Sequence, residues 1–187
     1  MRDPAEERLL ADLAEGREAA FAELYDRFGR SMYRVAWTML RSNTDAEDAV
    51  QNVFLAILRS RKLLTRVENL RAYLFSIVRN SVLRIASRTR AEQTARQDIA
   101  TARNSGTKND DAEWNDWFSK ALAALPPDQR EVLSLKIDGD LTFAEVADVL
   151  RISPNTAASR YRYALEKLRA LMKAEQDETR TTAAESR

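Results

Sequence analysis

The sequence has no cysteine and no histidine among its 187 residues. Disulfides, thiol nucleophiles, Cys/His zinc sites and every triad that needs an imidazole are therefore excluded. Glycine and proline number four each, too few for a turn-rich β protein or for glycine loops that cradle phosphate. No run approaches the roughly 18 apolar residues that span a bilayer. The opening stretch, Met1 to Glu7, lacks the apolar core of a signal peptide. These absences predict a soluble, cytoplasmic, all-α chain with no membrane insertion, no metal, no cofactor and no catalytic residue, so not an enzyme.

What is abundant is charge, at 32% of residues, and it is unevenly placed under a net charge of only +1. Residues 59–90 carry nine basic side chains against the single acid Glu68, a net of +8. Residues 151–173 have a net of +5, whereas 1–58, 91–150 and 174–187 have −4, −6 and −2. Two basic segments on an otherwise acidic chain point to two places where a polyanion docks.

Helix signals punctuate the sequence. Asp3-Pro4 reads as a cap with proline at the first helical position, and Gly16 ends that helix. Apolar residues then recur at three-to-four spacing from Phe21 to Leu40. Thr44 to Glu47 reads as a capping box that opens a third helix. That helix has an apolar stripe of Val50, Val53, Phe54, Ile57 and Leu58, and an opposite face of Asp45, Asp48, Asn52 and Leu55. Asn69 caps a fourth helix to about Arg90, with Leu70, Tyr73, Leu74, Ile77, Val78 and Leu83 turned inward. Aromatics at helical spacing, including Trp37, Trp114 and Trp117, read as core, with Phe75 the one candidate for base stacking. Residues 92–112 lose the pattern and read as a flexible linker. Helical signals resume near Trp114 and break at Pro126-Pro127. A second capping box spans Thr142 to Glu145, and Ser153-Pro154 opens a basic helix to about Lys173. The expected architecture is two small helical domains, over 1–91 and 113–174, joined by the linker 92–112 and followed by a disordered tail over 175–187.

The helices over 142–150 and 154–173 have the proportions of a helix-turn-helix, with the small Ala147 at the packing position and Ile152 in the turn. A helix fits the major groove and its first turn reaches base edges. The exposed start comprises Pro154, Asn155, Thr156, Ala158, Ser159, Arg160, Arg162 and Tyr163.

Taken together in order and spacing, these segments resemble a bacterial RNA polymerase sigma factor of the extracytoplasmic-function (ECF) group over roughly residues 5–173. The similarity runs through Ala20 to Tyr25, Asp45 to Phe54, Leu70 to Leu74 and Ile77 to Asn80. It continues through Leu125 to Val132, Thr142 to Ala147 and the helix that carries Ser159-Arg160. The resemblance implies a transcription initiation factor whose first domain docks on core RNA polymerase and opens the −10 element. Its second domain reads the −35 element as duplex DNA, and an anti-sigma factor is a further expected partner.

On this reading Asp45, Asp48, Gln51, Asn52 and Leu55 form the polymerase-binding face. Without the resemblance, Asp45 and Asp48 are better explained as dipole partners of their helix N-terminus. Arg59, Arg61, Lys62, Arg66, Asn69, Arg71, Arg79, Asn80, Arg84 and Arg88 form the −10 surface, where the arginines and lysine neutralise phosphates. The connector over 60–69 and Asn80 match positions where the family captures a flipped base. The chain departs from the family at Ala158, often basic, at Asn155, often glycine, and at Arg84, often acidic. A stand-alone helix-turn-helix regulator with a helical dimerisation or sensing domain is the alternative. Such a regulator needs neither the helix over 45–54 nor the basic segment 59–90.

Overall fold

The computed structural model describes residues 4–96 and 112–185, which form helices α1 (Pro4–Glu15), α2 (Glu18–Leu40), α3 (Asn43–Ser60), α4 (Leu70–Arg96), α5 (Ala112–Ala124), α6 (Pro127–Ile137), α7 (Phe143–Leu150) and α8 (Pro154–Glu185). A short 3₁₀ segment, Arg61–Arg66, joins α3 to the turn before α4. There is no strand among the described residues, as the scarcity of glycine and proline predicts. Asp3 and most of the expected linker, 97–111, lie outside the described residues.

Local chemistry sets the helix boundaries. Gly16, at φ 79°, makes the left-handed turn between α1 and α2. α2 ends on Arg41, also left-handed at φ 60°, whose amide donates to the Trp37 carbonyl at 2.8 Å. The cap of α3 is Ser42, whose hydroxyl accepts from the Asp45 amide at 3.3 Å. The expected box at Thr44 and Glu47 is therefore displaced: the cap is Ser42, two residues earlier, and it takes the amide of the third helical residue. Asn69 caps α4 as expected, accepting from the Ala72 amide at 2.9 Å. The Glu6 carboxylate of α1 accepts from the Leu70 amide at 2.9 Å and covers another orphan donor.

Leu9 and Leu13 of α1, Leu24, Phe28 and Met32 of α2, Val53 and Ile57 of α3, and Leu74 and Val78 of α4 build the first core. Phe75 is fully buried there, so it is core and not a stacking platform. Leu83 and Leu58, expected inward, are about half exposed. Leu83 falls off the α4 stripe occupied by Val78, Val82 and Ile85, and Leu58 opens onto a surface groove.

The two halves do not keep separate cores. Val132, Leu135, Leu141, Val146 and Val149 belong to the same apolar cluster as the first domain. The join is made by α6 against α2 and α7 against α4. A smaller cluster of Leu122, Leu125, Leu133 and Ala164 completes the second half, with Trp37 and Tyr161 packed against both clusters. The helix expected to stop near Lys173 continues to Glu185, through residues assigned from sequence to a disordered tail.

Candidate polymerase and nucleic-acid interfaces

Along α3 the side chains at 45, 48, 52 and 55 fall on one outward face, because residues three and four apart share a helix side. Gln51 and Leu55 are exposed, while Asp45, Asp48 and Asn52 are half-buried. The Asn52 amide is already engaged, donating to the Asp48 carbonyl at 2.8 Å. Beside this face an open, mainly apolar groove of about 540 Å³ runs between the α1–α2 turn and α3. Gly16, Glu18, Phe21, Gln51, Phe54, Leu55 and Leu58 line it. Sequence reasoning assigned Phe54 and Leu58 to the core and did not assign Phe21 to a surface. The missed signal was the excess of apolar residues on α3, more than one buried stripe holds.

The basic residues of the connector and α4 separate into groups. Arg59, Lys62 and Arg66 are exposed around the 3₁₀ segment, as are Asn80 and Arg84 farther along α4. Arg61 lies against the Gly16 turn, where a Cβ on Gly16 would overlap its guanidinium. That places Arg61 beside the groove, apart from the α4 basic residues. Arg88 is exposed as well, and the other three contact the second half of the chain, Asn69 from an exposed position. Arg79 Nε donates to Glu131 Oε1 at 2.7 Å, with both side chains mostly buried. Arg71 Nη1 donates to the Gly139 carbonyl at 3.0 Å, lies 3.7 Å from Asp140 Oδ2 and sits over the Phe28 ring. Asn69 Nδ2 donates to Glu145 Oε1. Arg34, which sequence reasoning did not single out, pairs with Asp138 at 2.7 Å.

Two of these carboxylates are electrostatically perturbed. Burial pushes the Asp138 carboxyl above its ordinary range, and Arg34 offsets only part of that. Burial also opposes ionisation of Glu145. There, hydrogen bonds from Thr142 and Asn69, with the Arg71 charge nearby, outweigh burial and hold the carboxyl low.

In the helix-turn-helix, the box is complete: the Thr142 hydroxyl accepts from the Glu145 amide at 3.2 Å, and the Thr142 amide donates to Glu145 Oε2 at 2.6 Å. Arg151, left-handed at φ 56°, makes the turn, and the Ile152 amide donates to the Ala147 carbonyl at 3.0 Å. The Ser153 hydroxyl accepts from the Thr156 amide at 3.0 Å and opens α8. Ala157 and Ala164 face inward, so Asn155, Ser159 and Arg162 share the opposite side. Pro154, Asn155, Arg162 and Tyr163 are exposed, whereas Thr156, Ala158, Ser159 and Arg160 are half-buried. Arg160 lies on the flank and pairs with Asp128 of α6 at 3.1 Å. Arg162 makes a loose 3.9 Å contact with Glu166, one turn on, and its guanidinium lies 5.2 Å from the centre of the Tyr163 ring.

The chain matches the family description Sigma-70 region 2 over residues 24–92 and Sigma-70 region 4 over 115–168. It is 31% identical over 162 residues to the RNA polymerase sigma factor CarQ of Myxococcus xanthus, covering 84% of this chain and 92% of that protein. The chain is an RNA polymerase sigma factor of the ECF group. A second relative, the ECF sigma factor RpoE of Cereibacter sphaeroides, is 29% identical over 163 residues, 83% of this chain and 87% of that protein. The solved structure of CnrH in complex with the cytosolic domain of CnrY superposes with a TM-score of 0.65 at 26% identity. It covers 91% of this sigma factor and 98% of that chain.

As a sigma factor the chain directs core polymerase to promoters and initiates transcription. The region 2 match spans most of α2 through α4, the half that a stand-alone regulator does not require, and so favours the initiation factor. No helix among the described residues is long and apolar enough to cross a membrane.

Proposed function

We propose that the outward face of α3 and its adjoining groove seat a helical element of core polymerase. Asp45, Asp48, Gln51 and Asn52 supply polar contacts to a basic partner, and Leu55, with Leu58, Phe21 and Phe54, supplies the apolar anchor. Interfaces of this kind concentrate their energy in a few desolvated apolar side chains ringed by polar ones. The observation that carries the reading is this apolar groove on the solvent side of α3, next to an acidic and amide stripe.

We further propose that Arg59, Lys62, Arg66, Asn69, Arg71, Arg79, Asn80, Arg84 and Arg88 hold the opened −10 strand, with Arg61 at the margin beside the groove. The start of α8 reads −35 duplex DNA, chiefly through Asn155, Ser159 and Arg162, with Pro154, Thr156, Ala158 and Tyr163 at its border. Arg160 orients that border from Asp128 as well as meeting phosphate. The site of action is the cytoplasm, and an anti-sigma factor is the inferred negative regulator. Region 2 work falls to residues 1–91 and region 4 work to 113–174.

Co-purification of the tagged chain with core polymerase, followed by run-off transcription on genomic fragments, tests this reading. Polymerase binding with new discrete start sites is the expected result. Specific duplex binding without polymerase association would overturn it.

A further inference from the structure

Two arginines meet around Trp37 with donors that the fold leaves unused. Arg41 ends α2 in the left-handed region at φ 60°, and its guanidinium lies 4.8 Å from the Trp37 ring. Nη1 of that guanidinium is buried without a hydrogen-bond partner. Trp37 packs in turn on the cluster that holds Leu122 and Leu125. There Arg130 Nη2 donates to the Ala123 and Leu125 carbonyls at 3.0 and 2.9 Å, while its Nε is buried without a partner. The end of α2 and the junction of α5 with α6 thus bring two guanidinium groups to one indole. Among the described residues no carboxylate pairs with either of them. The acids nearest Arg130 in sequence, Asp128 and Glu131, are committed to Arg160 at 3.1 Å and to Arg79 at 2.7 Å. Carbonyl oxygens carry only partial charge, so most of the two positive charges stays uncompensated. Burial disfavours the charge on both groups, and Arg130 adds repulsion at Arg41. A left-handed backbone, an orphaned donor and a like charge therefore coincide at Arg41. Strain of this kind persists where a function holds it in place.

We propose that Arg41 and Arg130 form an anion site for a small phosphate dianion, taken as the free ion or as the terminal group of a phosphomonoester. Its two negative charges match the two cations. Its oxygens accept from Arg41 Nη1 and Arg130 Nε in charge-assisted hydrogen bonds. A carboxylate would cancel one charge and leave the other buried and unpaired. Arg41 is half-buried, so its long side chain admits the ion from the solvent edge. Arg130, fixed on two carbonyls, stays in place. The bound ion ties the end of α2 to the start of α6. The site uses neither the α3 groove nor the basic residues of α4 and α8, and it stands whatever those surfaces bind.

The test titrates the full chain with inorganic phosphate at constant ionic strength and reads the width of the phosphorus NMR line. Glycerol phosphate, a phosphomonoester, serves as the second probe. The unaltered chain is expected to broaden the line saturably. Arg41→Gln is expected to bind about ten- to a hundredfold more weakly, the worth of one hydrogen bond to a charged group. Arg30→Gln, an exposed arginine of the same helix, is expected to keep the affinity of the unaltered chain. Urea unfolding gives a second reading. At about a hundredfold excess over its dissociation constant, phosphate should raise the folded-to-unfolded ratio about a hundredfold. Arg41→Gly, whose relaxed backbone keeps it folded, should lack that gain and show only the general salting effect of phosphate. A response to the free ion, to glycerol phosphate or to both supports the site and names the source of the group. No broadening with either probe, or equal affinity in the unaltered chain and Arg41→Gln, overturns the proposal. So does an Arg30→Gln loss as large as that of Arg41→Gln.

Discussion

At the scale of single residues, several side chains serve packing and chemistry at once, and the geometry ranks them. Arg41 occupies a left-handed position that normally goes to glycine, with its guanidinium 4.8 Å from the Trp37 ring and Nη1 buried without a partner. Burial and the neighbouring Arg130 both disfavour its charge. Replacing it with glycine removes an orphaned donor and a backbone penalty at the cost of one ring contact. Arg41→Gly should therefore raise stability by about 0.5–1 kcal/mol, read as a shift in urea midpoint at unchanged slope. On α8 the two arginines should behave differently. Arg162→Ala should weaken binding of a −35 duplex and lower the salt slope by about one unit, measured by titration at several ionic strengths. Arg160→Ala should cost less in binding and also remove up to about 1 kcal/mol of domain stability, because its partner Asp128 is part of α6.

At the scale of elements, the helices were readable wherever a cap and a periodic stripe agreed. α4 begins behind Asn69 and α7 behind Thr142, as the sequence signals require. The start of α3 was misread because Ser42 and Thr44 are both good caps two residues apart, and only tertiary placement chooses between them. Leu58 and Phe54 were placed in the core because periodicity records that a face is apolar without saying what covers it. The pairings Arg79–Glu131 and Arg34–Asp138 join residues 52 and 104 positions apart, and no local pattern encodes them beyond the opposite charge of two segments. The α7 box gives a prediction with a pH sign. Thr142→Ala should cost about 1 kcal/mol. Glu145 ionises more readily when folded, so its contribution is present at neutral pH and fades as pH falls below its ordinary value of 4.5. Asp138 acts in the other sense: its raised carboxyl contributes most at low pH and loses ground as pH rises through the window above 3.8. Glu145→Gln should therefore flatten the loss of stability between about pH 5 and 3, measured by thermal unfolding across that range.

At the scale of the whole molecule, function depends on faces that folding leaves uncovered. The groove beside α3 is the clearest, and Leu55→Asp/Leu58→Asp should abolish co-purification with core polymerase while shifting the melting temperature little, since both side chains are already about half exposed. Full retention of polymerase by this variant would remove the groove from the interface. The join between α6 and α2 leaves a further mark. Its apolar side chains, Val132 and Leu135 among them, are dry because they share one core with the first domain. Separating the domains wets that surface, and wetting apolar surface raises heat capacity. Association that drives the domains apart should thus show a heat-capacity change less negative than its own buried apolar area implies. Calorimetry of polymerase binding at several temperatures would record that deficit as a thermal signature of the molecule's own rearrangement.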